Sequence, residues 1–383
     1  MNTQELFSAI DSLFPDYLRV WEDICNIESP TDCKVGVDAV GRYLTKLAES
    51  LGFSYEITPF KKAGDLVCIT MNPEAAGAPI CLSGHADTVH PVGSFGSPAV
   101  HIEDDKICGP GTNDCKGGLT AGLLCMAALE KIGYRDRPIK LIVQSDEEKG
   151  SAPSDLGTVR KMCELAEGSA AFFNLEGGNP QKAVLARKGI LRFTFTVNGR
   201  EAHASACAKD GANAILEAAH KIIECEQFKD DDGLTCACTL IEGGTAQNTV
   251  PRQCIFHADV RYKTEEERKR IIAFMEELAA RTYVDGCHTV LRQSGGRPAM
   301  ESTEQNARLF DRVNEIFAEC GIGTLVPLYA RGGSDAAYIT HAGIPCIDNL
   351  GTFGGGIHSP NEYGLISSLP LAAKRLGAII LHL

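Results

Sequence analysis

The stretch APICLSGHAD, residues 78–87, decides how the chain reads: an apolar run of strand length breaks at a glycine and delivers His85 and Asp87. The construction recurs in PIKLIVQSDEE (138–148), which ends on Glu147 and Glu148, and in AAFFNLEGG (170–178), which ends on Glu176. Longer runs of helical character lie around these strands, VGVDAVGRYLTKLAESLG (35–52) and GGLTAGLLCMAALEKIG (117–133), with a further strand in GDLVCITM (64–71). Strands interleaved with helices of this length predict an α/β fold around a largely parallel sheet. Such sheets hold their ligands beyond the carboxyl ends of the strands, where these acidic and imidazole groups stand.

After Glu176 the pattern changes. LRFTFTVNG (191–199), CTLIEGG (238–244) and CIFHADVRY (254–262) alternate apolar and polar residues, as half-exposed antiparallel strands do. They flank the helical stretches ANAILEAAHKIIE (212–224) and EEERKRIIAFMEELAART (265–282). The α/β pattern then returns with helices in 306–321, 334–343 and 369–383 and a strand in IPCIDNL (344–350). An α+β insertion at residues 188–296 within one parent domain, 1–187 and 297–383, explains the return.

With 383 residues, 44% hydrophobic and 23% charged, the chain is long enough to build two full cores. Its net charge of −13, without a basic run, excludes nucleic acid and anionic membranes as partners. The first 24 residues read as an amphipathic helix interrupted by acids, unlike a signal peptide, and no apolar run reaches the ~18 residues of a spanning helix. The cytoplasm is the expected compartment. The 16 cysteines are scattered, with only Cys236 and Cys238 close in sequence, and read as reduced thiols.

Two further groups join the chemistry: Asp114 in GPGTNDCKGG (109–118), where glycines permit turns and close backbone approach, and His358 in GTFGGGIHSP (351–360). Imidazoles and carboxylates together suit a borderline-hard divalent ion with positions left for water, the pattern of a catalytic site. Asp87, two residues from His85 and on the same face of an extended segment, is placed to orient the imidazole. Taken singly, a His-x-Asp or an acidic pair is ordinarily surface; the order and context of all five elements carries the reading. His90 is excluded as a ligand because the chain reverses at Pro91 and Gly93.

That order resembles the di-metal peptidases that include carboxypeptidase G, succinyl-diaminopimelate desuccinylase, aminoacylase and tripeptidase T. SGHADTV, GPGTNDCKGG, SDEEKGS, NLEGG, GREAHAS, GGTAQNTVP, HADVRY, RGGSDAAY and GGGIHSPNEY carry the resemblance over nearly the whole chain. It implies a di-zinc metallopeptidase catalytic domain with an inserted, ferredoxin-like α+β lid that also dimerises. It implies that His85, Asp114 and Glu176 hold one metal and Asp114, Glu148 and His358 the other, with Asp114 bridging. Two Zn2+ per subunit are expected, and the same ligands accept Co2+ or Mn2+. Glu147 becomes the general base, and His203 a group that reaches a partner subunit's site to stabilise the oxyanion. Asn248 and Arg261 would touch substrate, Arg297 and more weakly Lys182 would hold a substrate carboxylate, and Gly333 with the helix start near Ser334 or Asp335 offers free amides to an anion. The family often has a second acid where Cys115 stands, after a peptide bond expected to be cis.

Three functions compete. The first is a carboxypeptidase releasing a C-terminal residue, glutamate above all. The second keeps the metals and changes the substrate: an N-acyl-amino-acid deacylase, dipeptidase or desuccinylase. The third is a catalytically silent peptide-binding protein, against which the retention of Glu147 and every metal position counts.

Overall fold

In the computed structural model of the chain, residues 2–230 and 233–383 are described; Met1 of the first helical stretch and Asp231 and Asp232 of the expected insertion lie outside them. The chain divides into two compact units. The first comprises Met1–Leu185, Ser302–Tyr329 and Tyr338–Leu383, the second Ala186–Glu301 and Ala330–Ala337. Residues 330–337, read from sequence as part of the parent domain, thus fold with the insertion. The reason is local: Lys188 N–H donates to Ala330 O (3.2 Å), Arg187 Nη1 to Gly332 O (3.2 Å), and Arg297 Nη2 lies 3.5 Å from Asp335 Oδ1.

The first unit is built on a six-stranded sheet in the order Ser54–Thr58, Leu66–Met71, Ile139–Gln144, Ile80–His85, Ala171–Asn174, Cys346–Ile347. Its last four strands run parallel, and the first two join antiparallel. Ser54–Thr58 escaped the sequence reading because it is a five-residue edge strand exposed along most of its length, with only Tyr55 and Ile57 to announce an apolar face. The helix Lys116–Lys131 is apolar nearly all round, as a helix enclosed by structure must be, and packs on the helices Thr3–Asn26 and Ser368–His382. Its start approaches the sheet so closely that a Cβ on Gly118 would sit 1.9 Å from the carbonyl oxygen of Leu175. Glycine is the residue that fits there, and the approach sets Asp114 beside the segment that leaves Ala171–Asn174 and carries Glu176.

The second unit runs strand, helix, strand, strand, helix, strand: Gly189–Asn198, Ala214–Gln227, Thr235–Gly243, Gln253–Tyr262, Glu265–Ala280 and His288–Arg297. The sheet order is third, fourth, first and last, counted by place in that series as Thr235–Gly243, Gln253–Tyr262, Gly189–Asn198, His288–Arg297, with all neighbours antiparallel. This is the ferredoxin-like arrangement. Asn213 and Thr264 cap the two helices by accepting from amides of their first turns, and Phe195 stacks on Phe256 at 4.5 Å in the core. The strand His288–Arg297 buries only its last residue, Arg297, and its apolar Val290 and Leu291 are adjacent, so its sequence shows no strand alternation.

Candidate metal centre

Three neighbouring parallel strands end together and deliver His85, the Glu147–Lys149 turn and Glu176 to one edge of the first unit's sheet. Asp114 enters from the loop before the helix Lys116–Lys131, and His358 from the turn between the short strands Gly354–Gly355 and Tyr363–Leu365. His85 Nε2 lies 3.0 Å from Asp114 Oδ1 and 3.8 Å from Glu176 Oε1. His358 Nε2 lies 3.2 Å from Asp114 Oδ2 and 3.1 Å from Glu148 Oε2. The two oxygens of Asp114 therefore face different imidazoles, each of which also faces one glutamate. The five residues expected to hold metal stand in one cluster.

The electrostatics of this cluster make it a fit for cations. His85 Nδ1 lies 2.9 Å from the main-chain oxygen of Asp87, to which it donates, and this leaves Nε2 as a lone pair aimed at carboxylate oxygens. Without a cation or added protons, that lone pair and the carboxylates of Asp114, Glu148 and Glu176 repel. Burial, followed by the Asp114 charge, pushes the Glu176 carboxyl up to about 8; burial also raises Glu148 to about 7. Hydrogen bonds to Asp114 and Glu148 raise His358 to about 10. Burial opposes charge on His85, but the neighbouring Cys115 sulfur, Asp114 and Asp87 carry its imidazole well above the usual value. Asp114 moves the other way: burial would raise it, yet the two imidazoles hold it far below the normal carboxylate range. Imidazole and carboxylate donors suit zinc, cobalt or manganese, and His85, Asp114, Glu148, Glu176 and His358 would hold them.

A pH dependence follows, with its sign. Carboxyls and imidazoles raised on folding add stability at low pH and lose it as pH climbs through about 7 to 10, whereas Asp114 loses its contribution only in strong acid. Metal replaces the protons. Metal-free protein should therefore lose melting temperature between about pH 6 and pH 9 while the loaded protein changes little, and metal uptake at neutral pH should release protons. Thermal scans of both forms, with titration calorimetry in two buffers of different ionisation heat, check this.

Asp87 is fully buried, but its part differs in detail from the expected one. Its carboxylate accepts from the amides of Glu147 and Glu148 (both 3.2 Å) and from Thr31 Oγ1 (2.7 Å), and lies 3.4 Å from His85 Nδ1. One side chain thus fixes both glutamates, while its own main-chain oxygen sets the histidine tautomer. Glu147 is itself buried, and its charge helps hold up Glu148 and Glu176 after the larger effect of burial. The Asp114–Cys115 peptide bond is cis, and Cys115 Sγ accepts from the His85 amide at 3.1 Å.

Sequence reasoning missed Glu362. Buried, it accepts from the amides of Gly111 (3.2 Å), Asn113 (2.9 Å) and Asp114 (3.0 Å) and pairs with His90 at 2.8 Å. It clamps the loop that carries Asp114 and explains what His90 does in place of binding metal. The only sequence signal is its place in GGGIHSPNEY, four residues beyond His358. Glu362→Leu should weaken metal binding by about 10- to 100-fold, as loss of a ligand's supporting partner does, which competition with a chelating dye would measure.

The remaining expected residues do not join this cluster within the first unit. Lys182 is exposed at the start of the strand Lys182–Arg187. His203, Asn248, Arg261, Arg297 and Gly333 belong to the second unit. There His203 is exposed with Nδ1 2.8 Å from Ser205 Oγ, and exposed Asn248 offers its carbonyl to the Ala204 amide. The Arg261 guanidinium is taken by Asp259 at 2.6 and 3.2 Å. Gly333 lies against Arg297, whose Cδ would be 3.0 Å from a Cβ there. At the helix start, Ser334 Oγ accepts from the Ala336 amide at 3.1 Å, ahead of the six-residue helix Ala336–His341.

The sequence model of peptidase family M20/M25/M40 matches residues 81–382. The chain belongs to this family. It is 31% identical over 386 residues to carboxypeptidase G2 of Pseudomonas sp. strain RS-16, covering 99% of this chain and 92% of that protein. It is 25% identical over 288 residues to succinyl-diaminopimelate desuccinylase of Gluconobacter oxydans, covering 70% and 74%. Among solved structures, aminopeptidase PepT of Bacillus cereus shares the fold with a TM-score of 0.78 at 22% identity, covering 99% of this chain and 98% of that one. This M20 protein is accordingly a metallopeptidase-type hydrolase of mixed α/β fold, and among its described residues no helix is long and apolar enough to cross a membrane.

Proposed function

We propose that this M20 hydrolase is a carboxypeptidase that cleaves the amide bond to a C-terminal glutamate. The observation that carries the choice is Arg297: a guanidinium 9% exposed at the end of a strand, a fork of donors fitted to a carboxylate. His85, Asp114, Glu148, Glu176 and His358 would hold divalent ions, and these would supply Lewis acidity toward the scissile carbonyl and a more acidic water. Glu147, whose main chain Asp87 holds still, takes the proton of the attacking water and returns it to the leaving amide nitrogen. His203, from the partner copy, donates to the oxyanion, and Asn248 and Arg261 contact substrate main chain or carboxylate, with Lys182 in a lesser part. The 188–296 segment acts as the lid, with Gly333 packed beside Arg297.

The test is hydrolysis, by zinc-loaded protein, of one acyl group joined to C-terminal Glu, Asp, Ala or Leu, together with N-succinyl-diaminopimelate. Strong preference for the acidic members supports the reading. Turnover confined to the others supports a deacylase, dipeptidase or desuccinylase instead. Asp335, 3.5 Å from Arg297, favours that second reading, because it already offsets the guanidinium charge. No turnover of any member leaves a peptide-binding protein.

Homodimerisation belongs to the same proposal. The edge strand Thr235–Gly243 exposes Leu240 and Ile241, and the helix Ala214–Gln227 beside it exposes Ile215, Leu216 and Ile223. An unpaired edge with apolar side chains invites a second copy. Leu240→Asp with Ile241→Asp should give monomers by sedimentation with activity at least tenfold down; an active monomer sinks the role given to His203. All 16 cysteines are free thiols, which supports the cytoplasm as compartment.

A further inference from the structure

A second group of metal-type side chains stands apart from the cluster above. The strands His101–Glu103 and Lys106–Cys108 form an antiparallel hairpin in which His101 directly opposes Cys108. Glu103, two residues from His101, shares its face, because side chains on a strand repeat every second residue. One donor atom from each of His101, Glu103 and Cys108 lies within 4.8 Å of the others, and His101 Nε2 is 3.6 Å from Glu103 Oε1.

We propose that His101, Glu103 and Cys108 form a separate site for one thiophilic divalent cation, of the zinc or cobalt kind. An imidazole, a carboxylate and a thiolate make a three-ligand set with a position left for water, and the sulfur selects against magnesium and calcium. His101 and Glu103 are exposed, so an ion reaches them from solvent, while Cys108 is half-buried. Lys106 is the cross-strand partner of Glu103, and its ammonium lies 4.5 Å from the centre of the Tyr363 ring, in cation–π contact. Burial and then the Glu103 charge push the Cys108 thiol up, with Lys106 pulling it down, so the ion must displace a proton to bind. The site shares no ligand with the catalytic cluster. Cys108 runs straight into GPGTND, and the amide of the next residue, Gly109, donates to Glu362 O at 3.2 Å, so an ion here would brace the segment leading to Asp114.

The experiment titrates cobalt into full-length protein whose catalytic positions are already filled with zinc, and reads metal stoichiometry together with thiolate-to-cobalt charge-transfer absorption. One additional equivalent with that absorption is expected. Cys108→Ser should abolish the absorption, and His101→Ala should weaken binding at least tenfold. Both variants should hydrolyse amide substrate within twofold of the parent at stoichiometric zinc. Cys115→Ser, which alters the thiol beside His85, should keep the absorption. No absorption in the parent, its survival in Cys108→Ser, or its loss in Cys115→Ser overturns the proposal.

Discussion

Glu147→Gln should lower kcat by about 10^2 to 10^4 while leaving metal content and melting temperature close to those of the parent. The amide keeps the size of the carboxylate but cannot carry a proton from water to the leaving nitrogen. Because Asp87 binds Glu147 through the backbone amide, the Glu147–Lys149 turn, and with it the ligand Glu148, should stay in place. Metal analysis alongside steady-state kinetics separates the two roles: a variant that lost its metals would show that Glu147 supports the centre, and one retaining both metals and full activity would remove it from the mechanism.

Arg297→Ala carries the second large effect. If the guanidinium holds the carboxylate of a departing glutamate, truncation should cut kcat/KM for that substrate by about 30-fold or more, since removing one partner of a buried charged hydrogen bond costs about 2–5 kcal/mol. Substrates ending in Ala or Leu should change little. The same substitution removes a charge 3.5 Å from the buried Asp335, so some loss of stability is expected as well. Selectivity resolves the two effects, because a loosened fold slows every substrate alike. An equal decline across the panel would assign Arg297 to structure and leave carboxylate recognition to another residue.

The strands ending at His85, Gln144 and Asn174 were legible because each is a short apolar run stopped by polar or glycine residues, a signal that burial on both faces of a parallel sheet imposes on sequence. Asp114 and His358 were legible by context, in glycine-rich turns. The helix Lys116–Lys131 announced itself as an unbroken apolar run. Exposed elements left no such mark: Ser54–Thr58 and His288–Arg297 bury too little for periodicity to be required of them.

By itself, then, the sequence determined the α/β class, the antiparallel character of the insertion and the identity of the acids and imidazoles, since local periodicity and residue chemistry are written position by position. Only the tertiary structure decided that Asp114 turns one oxygen to His85 and the other to His358, that Glu362 clamps three amides of a loop about 250 residues earlier, and that residues 330–337 fold with the insertion. Each of these is a meeting of distant segments. The physical reason is that a carboxylate leaves the same trace in sequence whether it binds metal, caps a turn or faces water; its partners, brought by the packing of other segments, select among the three.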